Sequence, residues 1–392
     1  MGVKIQASGD VVNSQSYAIS SSTPPPVTLG TPSTIVGTST TWTGAVSTAW
    51  CTAGNWNGGV PTALLNCSIS DVANDPLISG TCGGITPVCK SVTVNSGVLT
   101  MNAGTELQTY GSFTNNGTFT QGTATLRLMD NGVAATNQTI ASTGSFGTVT
   151  FTKTAGGTAK ATGSAVTIDT LTIPSGSNFE WQVPNGQTLT LSNGLTLPAA
   201  TFNIQSGGTV ALPAAQGISV TGGTFMTSGT NDAYPQTTSN KATITRSGVG
   251  SWSFSSSSGT VSLTGFILDY ISTSGLSIGG TTTLSALNGG QFTNLSPSFS
   301  SVKAIQINTT GSIPATASNV GWNWGAANSV YTPPPSPDPT QAYQLASSTG
   351  CGSQTITFDQ WFGDFYQDSF NPNPQTKVSA ASCTIIISVA AS

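Results

Sequence analysis

Histidine is absent from the 392 residues, and nine Lys plus Arg with thirteen Asp plus Glu bring charged side chains to only 6%, against about 25% in an average soluble domain. Without imidazole there is no Ser-His-Asp or Cys-His catalytic arrangement, no histidine metal ligand, and no side chain that ordinarily titrates near neutrality. Acid and base chemistry would fall to scattered carboxylates. The cations Lys4, Lys90, Arg127, Lys153, Lys160, Lys241, Arg246, Lys303 and Lys377 are dispersed, and the net charge is −4. Phosphate recognition needs clustered Lys and Arg, so nucleic acid is not an expected partner. The longest apolar runs, such as Thr384-Ile385-Ile386-Ile387, fall far short of the roughly 18 residues of a membrane-crossing helix. No cofactor-binding pattern is present, and no CxxC pair suggests zinc. The sequence therefore reads as non-enzymatic, with no cofactor and no transmembrane segment.

What fills the chain is Gly, Ser, Thr and Asn, interleaved with 36% hydrophobic residues. Branched and aromatic residues alternating with small polar ones, nearly without helix formers, predict an all-β protein. From Ser91 to Leu128, apolar and polar residues alternate in short runs broken by Asn-Ser-Gly, Asn-Ala-Gly and Asn-Asn-Gly. Each run predicts a short strand and each glycine a turn. The cadence returns from Ser164 to Leu212, where Val166, Ile168, Leu171 and Ile173 precede one turn and Leu189, Leu191, Leu195 and Leu197 follow another. It recurs more loosely from Ile218 to Ile307. Recurrent strand-turn units in which no single unit can bury its own apolar face predict a β-solenoid. The rival architecture is a set of β-sandwich modules.

The expected organisation is an extended N-terminal arm at 1–40 containing Pro24-Pro25-Pro26, then a solenoid body at 41–331. A Pro-rich linker follows at 332–340, and a small C-terminal β domain at 341–392. The body opens with a tryptophan-rich cap at 41–61, holding Trp42, Trp50 and Trp56. Trp322 and Trp324, two apart, would share one strand face. All five tryptophans are candidates either for capping the stack or for stacking on glycans. Phe358 to Phe370 gathers six aromatics with Asp359, Asp364 and Asp368; its spacing fits no EF-hand loop, and a polar edge on a docking segment is the expected reading. Asp71 with Asp75, or Asp130 with Asp169, are the carboxylate pairs a glycan-cleaving reading would need.

Six cysteines form three neighbouring couples, Cys51 with Cys67, Cys82 with Cys89, and Cys351 with Cys383, an even number that suggests disulfides and an oxidising exterior. The first 20 residues contain no apolar core of a secretory signal, so either a signal has been removed or export follows another route, such as release with a virion. The strand-like stretch around Val3 and Ile5 and the apolar run around Ile385 and Ile387 are candidates for assembly, a terminal strand of one copy adding to the sheet of another.

The segments "TWTG", "NWNGGVP", "PLISG", "VTVNSGVLTM" and "GSFTNNGTF" together resemble the secreted, adhesin-like β-solenoid repeat proteins of the surfaces of Bacteroidetes-type bacteria. The resemblance covers roughly residues 41 to 212, and "NVGWNWG" at 319–325 is similar to the closing element of such modules. It implies an extracellular or cell-surface structural protein; the low charge and the terminal arms make copies of itself the expected partner, with surface glycans a second candidate. A virion fibre or decoration protein, and a polysaccharide-binding or lytic β-helix, are the alternatives.

Overall fold

The computed structural model describes residues 38–130, 137–142, 144–163, 165–232, 239–294, 303–322, 344–348, 354–361 and 384–389. The chain divides into two units, Met1–Leu126 and Arg127–Ser392. Both are parallel β-solenoids, as the strand-turn cadence predicts, and the alternative of β-sandwich modules is ruled out by the pairing. A strand flanked by turns returns one coil later beside its predecessor and pointing the same way. A sandwich requires antiparallel partners.

In the first unit, strands Ser39–Thr41, Asn66–Ile69, Ser91–Val94 and Phe113–Asn115 stack in order. Thr40, Cys67, Val92 and Phe113 share one register position, and all four are buried. On another face, Val98–Met101 lies between Leu77–Ile78 and Thr118–Thr120. The repeated Asn-Gly turns follow from stacking as well. Asn95 N–H donates to the Ile69 carbonyl at 2.7 Å and Asn116 N–H to the Val94 carbonyl at 2.8 Å, so each turn hangs from the coil before it. A Cβ at Gly117 would lie 2.4 Å from the Gly97 carbonyl oxygen, so only glycine fits where these turns superpose.

The second unit repeats the plan with larger side chains. One inward column runs Val166, Leu189, Val210, Ile244, Leu268, Phe292. A second runs Trp181, Phe202, Phe225, Val261, Leu284, and a third Leu195, Ile218, Phe254, Leu276, Ile305. Every one of these residues is buried, and each contributes on the order of 1.5–3 kcal/mol when removed from water. Outward positions between them hold Thr158, Glu180, Thr201, Thr224, Thr260 and Thr283 in a single file. Strand Gly217–Ser228 spans two faces, its first half pairing with Leu195–Leu197 and its second with Thr201–Gln205. The corner falls where the register slips between Val220 and Thr224, and Gly222 and Gly223 there face carbonyls of Pro198 and Ala199 too closely for a side chain.

The strands assigned from sequence to a separate C-terminal domain instead continue the parallel pairing. Gln344–Ser348 pairs with Lys303–Thr309, while Thr355–Trp361 lies between Thr316–Ser318 and Thr384–Val389. The proline-rich break suggested a boundary, but it does not end the ladder. The arm before residue 38, with Val3 and Ile5, the linker 332–340, Trp324, Cys351, Cys383, Asp364 and Asp368 lie outside the described residues.

Candidate functional site

Three of the five tryptophans converge in the first coil. Trp42 and Trp56 meet edge to face with ring centres 5.0 Å apart, and Trp50 meets Trp56 the same way at 4.7 Å. Their exposures are 1%, 1% and 4% for Trp42, Trp50 and Trp56. No ring face is open, which corrects the glycan-stacking reading for these three: they are the core of the opening coil. Indole hydrogen bonds fix two of them, Trp42 Nε1 donating to the Asn74 carbonyl at 2.6 Å and Trp56 Nε1 to the Trp50 carbonyl at 2.8 Å. Trp322 takes its place in the ladder opposite Phe292.

The organiser of this cluster is a residue the sequence does not advertise. Asn55 is fully buried; its Oδ1 accepts the N–H groups of Val46 and Ser47 at 2.9 and 2.8 Å, and its Nδ2 donates to Ser47 Oγ and the Ala49 carbonyl. One amide side chain thus satisfies a loop that lacks regular pairing.

Two disulfides staple the same unit, joining Cys51 to Cys82 and Cys67 to Cys89, with Cα separations of 5.1 and 6.0 Å. The couples expected from sequence proximity, Cys51 with Cys67 and Cys82 with Cys89, are therefore wrong. In a solenoid the spatial neighbour of a residue is its counterpart one coil on, and the bonded cysteines are 31 and 22 residues apart.

The carboxylates do not converge. Asp75 accepts the Val98 N–H, Asp169 accepts Ser192 Oγ, and Asp130 Oδ2 accepts the N–H groups of Thr154 and Ala155. Glu180 is held by Gln182 and Asn203, and Asp269 by Thr245, Thr293 and Asn294. Each acid is thus tied to its own or an adjoining rung. Among the described residues no three of His, Cys, Asp or Glu group to hold a metal ion.

Two of the dispersed lysines are interior. Lys153 is fully buried, continuing the inward period of Val149 and Phe151, a signal present in the sequence. Burial holds its ammonium pKa below the ordinary lysine value, opposed by the Asp130 charge. A lowered folded value means the unfolded chain binds the proton more readily, so the penalty on the charged form shrinks as pH rises and is gone once pH passes the ordinary lysine range. Urea unfolding of the wild type should therefore show stability gained between neutral pH and about pH 10 relative to Lys153→Met; parallel pH profiles for the two proteins would refute this. Lys241 precedes strand Ala242–Arg246, outside its alternation, and its side chain is fully buried.

Residues 41–181 match a family model described as "Domain of unknown function (DUF8693)". The matched stretch includes the tryptophan cluster and both disulfides. No curated protein and no solved structure matches the chain.

Proposed function

We propose that this chain is an extracellular structural protein, a self-assembling subunit of a surface filament, sheath or layer, without enzymatic activity. The observation that carries the reading is the last ladder. Strand Thr384–Val389 pairs with Thr355–Trp361 along one edge and has no second partner strand among the described residues. Its Ile385 and Ile387 stand opposite Ile356 and Phe358. A parallel edge rich in β-branched residues is a template for another strand, and the expected donor is a second copy of this chain. The low charge of the whole sequence lowers the repulsion that keeps copies apart. Acids tied to neighbouring rungs and a wall of Thr and Ser suit contact rather than catalysis.

The disulfides are compatible with an oxidising exterior. No helix among the described residues is long and apolar enough to cross a membrane. Sedimentation velocity over a range of concentrations tests the reading. The wild type should shift to larger species as concentration rises, and Ile386→Lys, which places a charge on the edge strand, should suppress the shift. A wild type that stays monomeric throughout would refute self-assembly; unchanged assembly of the variant would refute the edge as the contact.

A further inference from the structure

Lys241 and Asp232 meet at a corner of the second unit, and their chemistry goes beyond an ion pair. The Lys241 side chain is fully buried while that of Asp232 is 25% exposed, and Lys241 Nζ contacts Asp232 Oδ1 directly. The ammonium also donates to the carbonyls of Thr230 at 2.7 Å and Gly289 at 2.9 Å. Both partners are carried by fixed backbone. Thr230 N–H donates to the Asn240 carbonyl at 2.9 Å, and Gly229 N–H to the Thr264 carbonyl at 2.8 Å. Asn231 packs so closely on Gly289 that a Cβ there would lie 2.7 Å from the Asn231 Cα. The Asn231 carboxamide is in turn bonded by Asn319 Nδ2 at 3.2 Å. Holding an amine against a carboxyl group raises their effective concentration for one another.

We propose that Lys241 and Asp232 condense into an intramolecular isopeptide bond. The ammonium passes a proton to the carboxylate, leaving a neutral amine and a neutral acid. The Nζ lone pair adds to the Asp232 Cγ, the C–OH bond breaks, and a second proton from nitrogen leaves with the hydroxyl as water. The products are one amide and one water; no oxidant, reductant or co-reactant takes part. The partly exposed Asp232 side gives the water a way out. The remaining amide N–H keeps an acceptor in the carbonyl of Thr230 or Gly289. The link closes residues 232 to 241 into a covalent ring. At the second buried lysine, Lys153, the nearby Asp130 instead accepts the N–H groups of Thr154 and Ala155.

Peptide mass spectrometry of the reduced, unfolded full-length protein decides the matter. Trypsin does not cut after an amidated lysine, so the wild type should yield the fragment Ala161–Arg246, uncut at Lys241 and lighter by one water. Fragment ions should place the loss across 232–241. Lys241→Arg should be cut at position 241 at full mass, and Asp232→Ala should be cut after Lys241 at full mass. A wild-type chain cleaved after Lys241 with no water lost would overturn the proposal and leave an ion pair. This test is independent of self-assembly, so either idea can fail without the other.

Discussion

Reducing Cys51–Cys82 and Cys67–Cys89 is expected to unfold the first unit while leaving the second folded. Each bond closes a long stretch of chain, and removing such a constraint gives the unfolded state about 3 kcal/mol of extra entropy per bond. Two bonds together match a large part of the 5–15 kcal/mol that stabilises an average domain. The first unit also has little else to compensate, since its strands run only two to four residues over Leu77–Ile78, Val88–Cys89 and Ser91–Val94. No disulfide is found among the described residues of the second unit. Hydrogen exchange read by mass spectrometry after reduction should show lost protection in peptides from 66–120 and retained protection in those from 165–290. Uniform loss, or none, would show that the bonds do not sustain the first unit.

Truncating the middle of an aromatic column should do comparable damage in the second unit. Phe225 is fully buried between Phe202, parallel to it at 5.8 Å, and Phe254, edge-on at 5.3 Å. Phe225→Ala removes contacts to the coils on both sides and leaves a cavity that neighbouring rungs, fixed by their own ladders, cannot close. The expected cost is about 3–5 kcal/mol. Thr224, the adjacent outward residue, loses only a half-exposed hydroxyl and methyl on substitution by Ala, with an expected change within about 0.5 kcal/mol. Urea unfolding of the two variants compares them directly, and equal losses would contradict the inward and outward assignment of the strand.

The solenoid was legible because its period is written in small turn residues and alternating branched ones. Val166, Ile168, Leu189 and Leu191 are inward in the fold as their spacing requires. The disulfide pairing was not legible, because chain distance ranks the wrong neighbours when the true ones lie one coil away. The C-terminal strands were misjudged for a related reason: prolines mark an interruption in sequence but do not say whether the ladder resumes. Asn55 and Lys241 gave no warning, since a buried amide or ammonium is recognised by the partners that surround it. The tryptophan segment was rightly singled out, yet its three rings serve packing, and only their burial separates a core from a binding platform.

Electron microscopy of the purified protein in negative stain tests the central claim most directly. A subunit built for contact between copies should form long, regular polymers or sheets as concentration is raised. Isolated rods at every concentration, with no ordered contact between them, would contradict the account.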